Sequence, residues 1–234
     1  MWSGCAPITT LNPIIYSHCI CAANVQSDPA LGPTPIPVGY RQPSPAKELL
    51  RLFGAKLPPQ LPLALRRAVL EARRVLHALL LRCMRKVCQA SGMQLSHRAL
   101  RRATQRGLNC PTDLFYYNNE GSSEAVPNCS AHVDRGYLHA IVVSPTDGLE
   151  VFDRQSECWH SLRSRWPEAR PLADVVVLAN DSLARLSREH PSWMGAPVDA
   201  CIHRVAKAAS PRLSISHELR EPVDCVDELS SRGS

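Results

Sequence analysis

Five residues in the second half of the chain have the types and spacing of a metal site. They are His132 and Asp134 in His-Val-Asp, His203 in His-Arg-Val, and Arg212 and Ser214 in Arg-Leu-Ser. Two neutral imidazoles and one carboxylate can hold one face of a ferrous ion and leave the opposite positions open to exogenous ligands. An arginine nine residues after the second histidine, with a serine two further on, offers a planar fork and a hydroxyl to the far carboxylate of a small diacid. No single piece is specific. Arg-x-Ser occurs at Arg154-Gln155-Ser156, Arg185-Leu186-Ser187 and Arg212-Leu213-Ser214, and only the last follows a histidine at that distance. The reading rests on the ordered combination.

The segments that must position these residues read as short strands. Leu138–Val143 (LHAIVV) is apolar and β-branched, and Asp174–Leu178 (DVVVL) is a short apolar run. Ala200–Val205 carries His203, Arg212–Ser216 alternates apolar and polar residues, and Leu114–Tyr117 precedes them all. Leu149–Phe152 follows the turn sequence Pro145-Thr146-Asp147-Gly148, which predicts a hairpin with Leu138–Val143. Several short strands separated by turn residues predict a β-sandwich or jelly roll, with the metal ligands near its mouth, where side chains converge on a cavity.

In order and spacing these motifs resemble the Fe(II)- and 2-oxoglutarate-dependent dioxygenase superfamily, in the branch that includes isopenicillin N synthase and the plant flavonoid oxygenases. The similarity covers about 112–217. His132–Phe152 (HVDRGYLHAIVVSPTDGLEVF) resembles the family's His-x-Asp-x-Gly, strand, then Gly-Leu-x-Val. Trp159 fits the tryptophan that follows, and Val175–Asp181 (VVVLAND) is similar to the segment ending in Gly-Asp before the helix that leads to the distal histidine. Phe115-Tyr116-Tyr117-Asn118 stands where the family often has Asn-Tyr-Tyr-Pro. Tyr117 therefore matches a tyrosine that often contacts the co-substrate, while Phe115 and Asn118 depart from the pattern. The family's opening strand and its Gly-Phe-Phe and His-Gly segments are not found.

The resemblance implies that His132, Asp134 and His203 are metal ligands for Fe(II). It implies that 2-oxoglutarate chelates the metal through its keto oxygen and C1 carboxylate and sets its C5 carboxylate on Arg212, assisted by Ser214 and Tyr117. The implied reaction hydroxylates or desaturates a small-molecule substrate with O2, releasing succinate and CO2, with ascorbate compatible as an auxiliary reductant. The cofactor carries the difficult chemistry, and the protein orients the groups and excludes water.

Each residue also has an ordinary reading. His132 suits a solvated loop with Asp134 as its turn-forming neighbour, His203 a core, Arg212 a strand edge, and Tyr116 and Tyr117 packing. Their joint occurrence in family order favours the metal site. His139, inside an apolar strand, reads as a core or pocket-wall residue rather than a fourth ligand, and Asp181 as the cap of a helix over Ser182–Ser187. The 10 cysteines form no Cys-x-x-Cys pair, which argues against structural zinc. Cys201, two residues before His203, reads as core.

Hydrophobic content of 44% and charged content of 21% are ordinary for a globular chain, and no apolar run reaches membrane-spanning length. The first 26 residues hold no Lys or Arg, unlike a basic-start signal peptide or a transit peptide, so a cytoplasmic protein with reduced thiols is expected. Much of the net charge of +6 sits on one amphipathic helix from Pro62 to about Ala90. Its expected buried stripe is Leu65, Val69, Ala72, Leu76, Leu79, Cys83 and Val87, with arginines filling most of the remainder. A second basic cluster follows at His97–Arg106. No stacking aromatics interleave with these arginines, so a solvated helix face is preferred to a nucleic-acid surface.

The expected organisation is an α+β chain. An irregular segment at 1–45 precedes a helical support region at 46–110, a double-stranded β-helix (jelly roll) at 111–220 and a tail at 221–234. Two competing readings remain at this level. One is a catalytically degenerate barrel that binds a partner through its basic helices. The other is an iron oxidase whose substrate carboxylate sits on Arg212 and Ser214 without 2-oxoglutarate.

Overall fold

Strand side chains alternate between two faces, and here the two faces have different chemistry. A computed structural model describes residues 39–44, 46–53, 57, 61–91, 110–119, 126–189 and 197–220. The elements run β1 (Gly39–Ser44), β2 (Lys47–Leu52), α1 (Leu63–Ser91), β3 (Thr112–Tyr117), β4 (Cys129–His132), β5 (Leu138–Val142), β6 (Leu149–Asp153) and β7 (Cys158–Ser161). They continue with α2 (Leu162–Arg165), β8 (Val175–Ala179), α3 (Asp181–Glu189), β9 (His203–Val205) and β10 (Arg212–Leu219). All pairings are antiparallel. Six strands form one sheet in the order β1-β2-β3-β10-β5-β8, and four form a second in the order β4-β9-β6-β7. This is the expected jelly roll backed by a long helix.

The outer face of the large sheet is apolar and packs on α1. Leu50, Leu52, Leu114, Leu138, Ala140, Val142, Ile215 and Leu219 meet Leu65, Val69, Leu76, Leu80 and Met84. The helix follows its expected bounds, but the stripe drifts at the far end. Leu80 and Met84 are fully buried, whereas Leu79 and Cys83 are half-buried. Successive steps of four keep the stripe on the sheet over the last two turns, because 3.6 residues per turn lies between the three- and four-residue intervals.

Three sequence expectations change. Pro145–Gly148 does not close a hairpin. It carries the chain from β5 in the large sheet to β6 in the small one, and β6 pairs instead with β7. A turn sequence fixes the bend, while the partner is set by which face must be buried. Residues 39–52, expected as irregular chain and the start of a helical region, supply β1 and β2, so the sheet begins well before residue 111. Asp181 is the first residue of α3 rather than the residue before it. The basic cluster at His97–Arg106, the tail from Glu221 and residues 1–38 lie outside the described residues.

A buried polar chain also ties α1 to the sheet. His217 projects from the outer face of β10, with Nε2 3.0 Å from Nδ1 of His77 and Nδ1 2.9 Å from Oγ1 of Thr112. Burial, then His77, Arg73 and His139, push His217 down to about 2. The unfolded imidazole titrates near about 6.5, so below that pH the unfolded chain takes up a proton that the folded one refuses. This contribution to stability is complete above about pH 6.5 and is lost progressively as the pH falls toward 2. Thermal melts between about pH 7.5 and 5 should therefore show a falling midpoint, and His217→Gln should flatten that fall. An unchanged pH slope in the variant would remove His217 as its source.

Candidate functional site

The inner face of the large sheet is polar. Across it, in register, run Lys47, Tyr117 and Arg212; then Arg41, Leu49, Phe115 and Ser214; then Arg51, Asp113, Ser216 and Ile141. Glu218 and His139 complete the face. With His132, Asp134 and His203 these residues line a cavity of about 340 Å³ between the two sheets. That is within the usual size of a small-molecule site.

In the small sheet β4 and β9 pair so that His132 lies opposite His203. Their rings are 4.4 Å apart between centroids. Each ring has its Nδ1 against a backbone carbonyl two residues upstream: Ser130 at 2.7 Å for His132 and Cys201 at 3.3 Å for His203. A carbonyl can only accept, so each Nδ1 carries a proton, which leaves each Nε2 for Asp134 or for a metal ion. Both Nε2 atoms face Asp134, at 3.4 Å from Oδ1 for His132 and 3.2 Å from Oδ2 for His203. One ligating atom from each of the three residues lies within 4.8 Å of the others.

Asp134 stands in the bend after β4, and its backbone is fixed from outside the cavity. The carbonyls of Asp134, Gly136 and Tyr137 accept hydrogen bonds from the backbone N–H groups of Asp181, Ser182 and Asn180 at 3.1, 2.9 and 3.0 Å. The carbonyl of Arg135 accepts from Nδ2 of Asn180 at 2.8 Å. The glycine of His-x-Asp-x-Gly has a steric cause. At φ +88°, a Cβ on Gly136 would lie 2.6 Å from the carbonyl oxygen of Leu219.

The electrostatics concentrate on Asp134. Burial works to raise its carboxyl, but hydrogen bonding to His132, His139 and His203 outweighs that and holds it far below the usual carboxylate range. In return Asp134, then Cys129, raises His132 to about 10. His139 lies fully inside the cavity wall, with Nδ1 in contact with Oδ2 of Asp134. Burial opposes its charge, and Asp134 raises it. Oδ2 of Asp134 and both ring nitrogens of His139 are buried without a well-directed hydrogen bond among the described residues. Two imidazoles and a carboxylate that converge on one point share protons here, and a divalent ion can take the place of those protons, so the donor set fits one.

At the other end of the cavity Arg212 is 2% exposed. Its Nη1 donates to the carbonyl oxygens of Thr146 and Asp147, which pin the guanidinium from the β5–β6 connection. Its Nε is buried without a partner among the described residues. Ser214 and Tyr117 are buried beside it on the same face. Burial lowers Arg212, partly offset by Tyr117 and Asp147, and burial raises the Tyr117 phenol. An uncompensated buried guanidinium costs several kcal/mol. A carboxylate in the cavity removes that cost, so this end fits an acidic co-substrate.

All six residues read from the sequence as ligands or co-substrate contacts thus line one cavity. Cys201 packs against the inner apolar cluster of Ile141, Leu149 and Leu178, as expected. Arg41, Lys47, Arg51, Asp113, Cys129 and Glu218 were missed. Lys47-Glu48-Leu49-Leu50-Arg51-Leu52 shows no clean alternation that would have marked it as a strand.

No family model matches the chain, and no curated protein is similar to it in sequence. Solved structures do share its fold. The rice dioxygenase for auxin oxidation superposes with a TM-score of 0.59 at 20% identity, covering 93% of this chain and 67% of that one. Its Arabidopsis thaliana counterpart, in a 2-oxoglutarate complex, gives 0.60 at 20% identity over 80% and 68%. A Neurospora crassa protein bound to α-ketoglutarate and 5-formyluracil gives 0.59 at 16% identity over 92% and 73%. The chain spans about two thirds of the first two neighbours' length. The jelly roll is the one on which these dioxygenases are built.

His139 touches Asp134 from behind the three candidate ligands, where it orients the carboxylate. His139→Ala should leave the three ligands in place and weaken divalent-metal binding about 10- to 100-fold, read by Mn(II) titration. Unchanged affinity would make His139 simple packing.

Proposed function

We propose that the protein is a non-heme Fe(II), 2-oxoglutarate-dependent dioxygenase acting on a small organic molecule. The observation that carries this is the convergence of two Nε2 atoms and the Asp134 carboxylate at one end of a cavity whose other end holds Arg212, buried and without a carboxylate partner among the described residues. His132, Asp134 and His203 hold the iron, and the Ser130 and Cys201 carbonyls keep both imidazoles in the metal-binding tautomer. Arg212 pairs with the C5 carboxylate of 2-oxoglutarate, and Ser214 and Tyr117 donate hydroxyl protons beside it. The bound iron and co-substrate supply the oxidation, in which O2 gives one atom to the substrate and one to succinate, with loss of CO2. Leu149, Ile141 and Val205 give the cavity an apolar lining, which lowers the local polarity and strengthens each of these charge contacts.

No helix among the described residues is long and apolar enough to cross a membrane. The six described cysteines are free. Together with ferrous chemistry, that suits a reducing compartment such as the cytoplasm.

The test is an anaerobic titration with Fe(II) and then 2-oxoglutarate, following the visible metal-to-ligand charge-transfer band. The wild-type protein develops the band, and His203→Ala loses both the band and stoichiometric iron. A band of normal size in that variant sinks the assignment. Arg212→Leu keeps iron and weakens 2-oxoglutarate about 30-fold or more, the cost of removing one partner of a buried charge pair. An unchanged 2-oxoglutarate requirement in that variant takes Arg212 out of the site.

A further inference from the structure

The cavity holds more cationic groups than the metal and one co-substrate can use. Arg51 is neutralised, because its Nε donates to Oδ1 of Asp113 at 2.8 Å and its Nη2 contacts Oδ2. Glu218 is paired with Nε of Arg220 at 2.5 Å. Asp134 is taken by the histidines. Three cations then lack a carboxylate partner among the described residues: Arg212, Arg41 and Lys47. One 2-oxoglutarate brings two carboxylates, of which one belongs to the metal and one to Arg212. Arg41 and Lys47 are left over.

Their placement separates them from Arg212. Lys47 is two strands away in the register Lys47–Tyr117–Arg212, roughly 10 Å at the usual strand spacing. Arg41 lies three strands from Ser214, roughly 14 Å. A carboxylate seated on Arg212 does not reach them. Both face the same cavity as the metal ligands. Nε of Arg41 is buried without a partner among the described residues, and burial together with Arg51 works against its charge, offset only in part by Asp113, which Arg51 already engages. Among the described residues Nζ of Lys47 has only the Cys129 sulfur at 3.5 Å, a weak acceptor, and two aromatic faces, Phe115 at 4.9 Å and Tyr117 at 5.6 Å. Those rings stack 6.0 Å apart and 13° from parallel. Beside them Leu49, Ile141 and Val205 give an apolar wall.

We propose that Arg41 and Lys47 anchor a carboxylate of the molecule that is oxidised, so that the substrate is a small carboxylic acid with a compact apolar body lying on Phe115. This rests on the dioxygenase reading above. The acid end meets the two cations at the β1–β2 side of the cavity, and the apolar body extends toward the metal ligands, where the reacting carbon belongs.

The test uses the full chain loaded anaerobically with Mn(II) and 2-oxoglutarate, with phenylacetate, 2-naphthylacetate and cyclohexanecarboxylate as probes, each against its primary amide. Thermal shift and calorimetric titration read binding without turnover. The acids should bind about 30-fold or more tightly than the amides. Arg41→Met and Lys47→Met should each weaken the acids about tenfold or more, Lys47→Arg should retain most of the affinity, and 2-oxoglutarate binding should stay within about threefold in all of them. Equal binding of acid and amide overturns the proposal. So does a variant that weakens 2-oxoglutarate as much as the acid, or a protein that takes up 2-oxoglutarate but none of the acids. Wild-type protein that binds Mn(II) yet no 2-oxoglutarate overturns the dioxygenase reading itself, and this inference with it.

Discussion

Four consecutive carbonyls, from Asp134 to Tyr137, are satisfied by Asn180 and the first two residues of α3, and the rest of the site depends on that clamp. The first N–H groups of a helix have no partner within the helix. Here two of them find partners in the bend that carries the Asp134 carboxylate. Tyr137 in turn donates to Leu219 at the end of β10, 2.8 Å away. One bend therefore joins β4, which brings His132, to β5, β8 and β10 of the large sheet. The cost is a tight approach at Gly136, where the left-handed backbone and the Leu219 carbonyl leave no room for a side chain.

With Asp134 fixed, the remaining electrostatics follow from a shortage of anions. Burying cations is unfavourable unless they are paired, and the cavity wall pairs only one of its four, Arg51 with Asp113. The protein thus carries an electrostatic deficit that bound anions relieve. At the other end His132, His203 and the Asp134 carboxylate converge on one point, where a divalent ion would take the place of the protons they share. A site poised in both ways binds its ligands partly through charges that the fold has already desolvated.

The residues that gather in the cavity were legible in the sequence because metal-ligating types are rare and stand here at a readable spacing. His132, Asp134, His203, Arg212 and Ser214 could be read in order, and the strands around them were apolar enough to place. The topology was less legible. Pro145–Gly148 marks a bend, but nothing local says whether the next strand pairs with the last one or crosses to the other sheet, since that depends on partners distant in sequence. Lys47–Leu52 was hidden for a related reason. An inward face bearing Lys47 and Arg51 breaks the apolar alternation that identifies a half-buried strand, because the face it lines is a charged cavity rather than solvent or core. The residues missed are those whose polarity serves a ligand.

β10 shows why the arrangement tolerates no slippage. Its inward residues Arg212, Ser214, Ser216 and Glu218 line the cavity, while its outward residues Ile215, His217 and Leu219 meet β3, β5 and the long helix. A shift of one residue would put a guanidinium and a carboxylate against α1 and turn three apolar side chains, Leu213, Ile215 and Leu219, into the cavity. Burying those charges unpaired would cost several kcal/mol each, a large share of the net stability of a domain this size. The register that builds the hydrophobic core is thereby the register that aims Arg212 into the cavity, so packing and site geometry are set together on this strand.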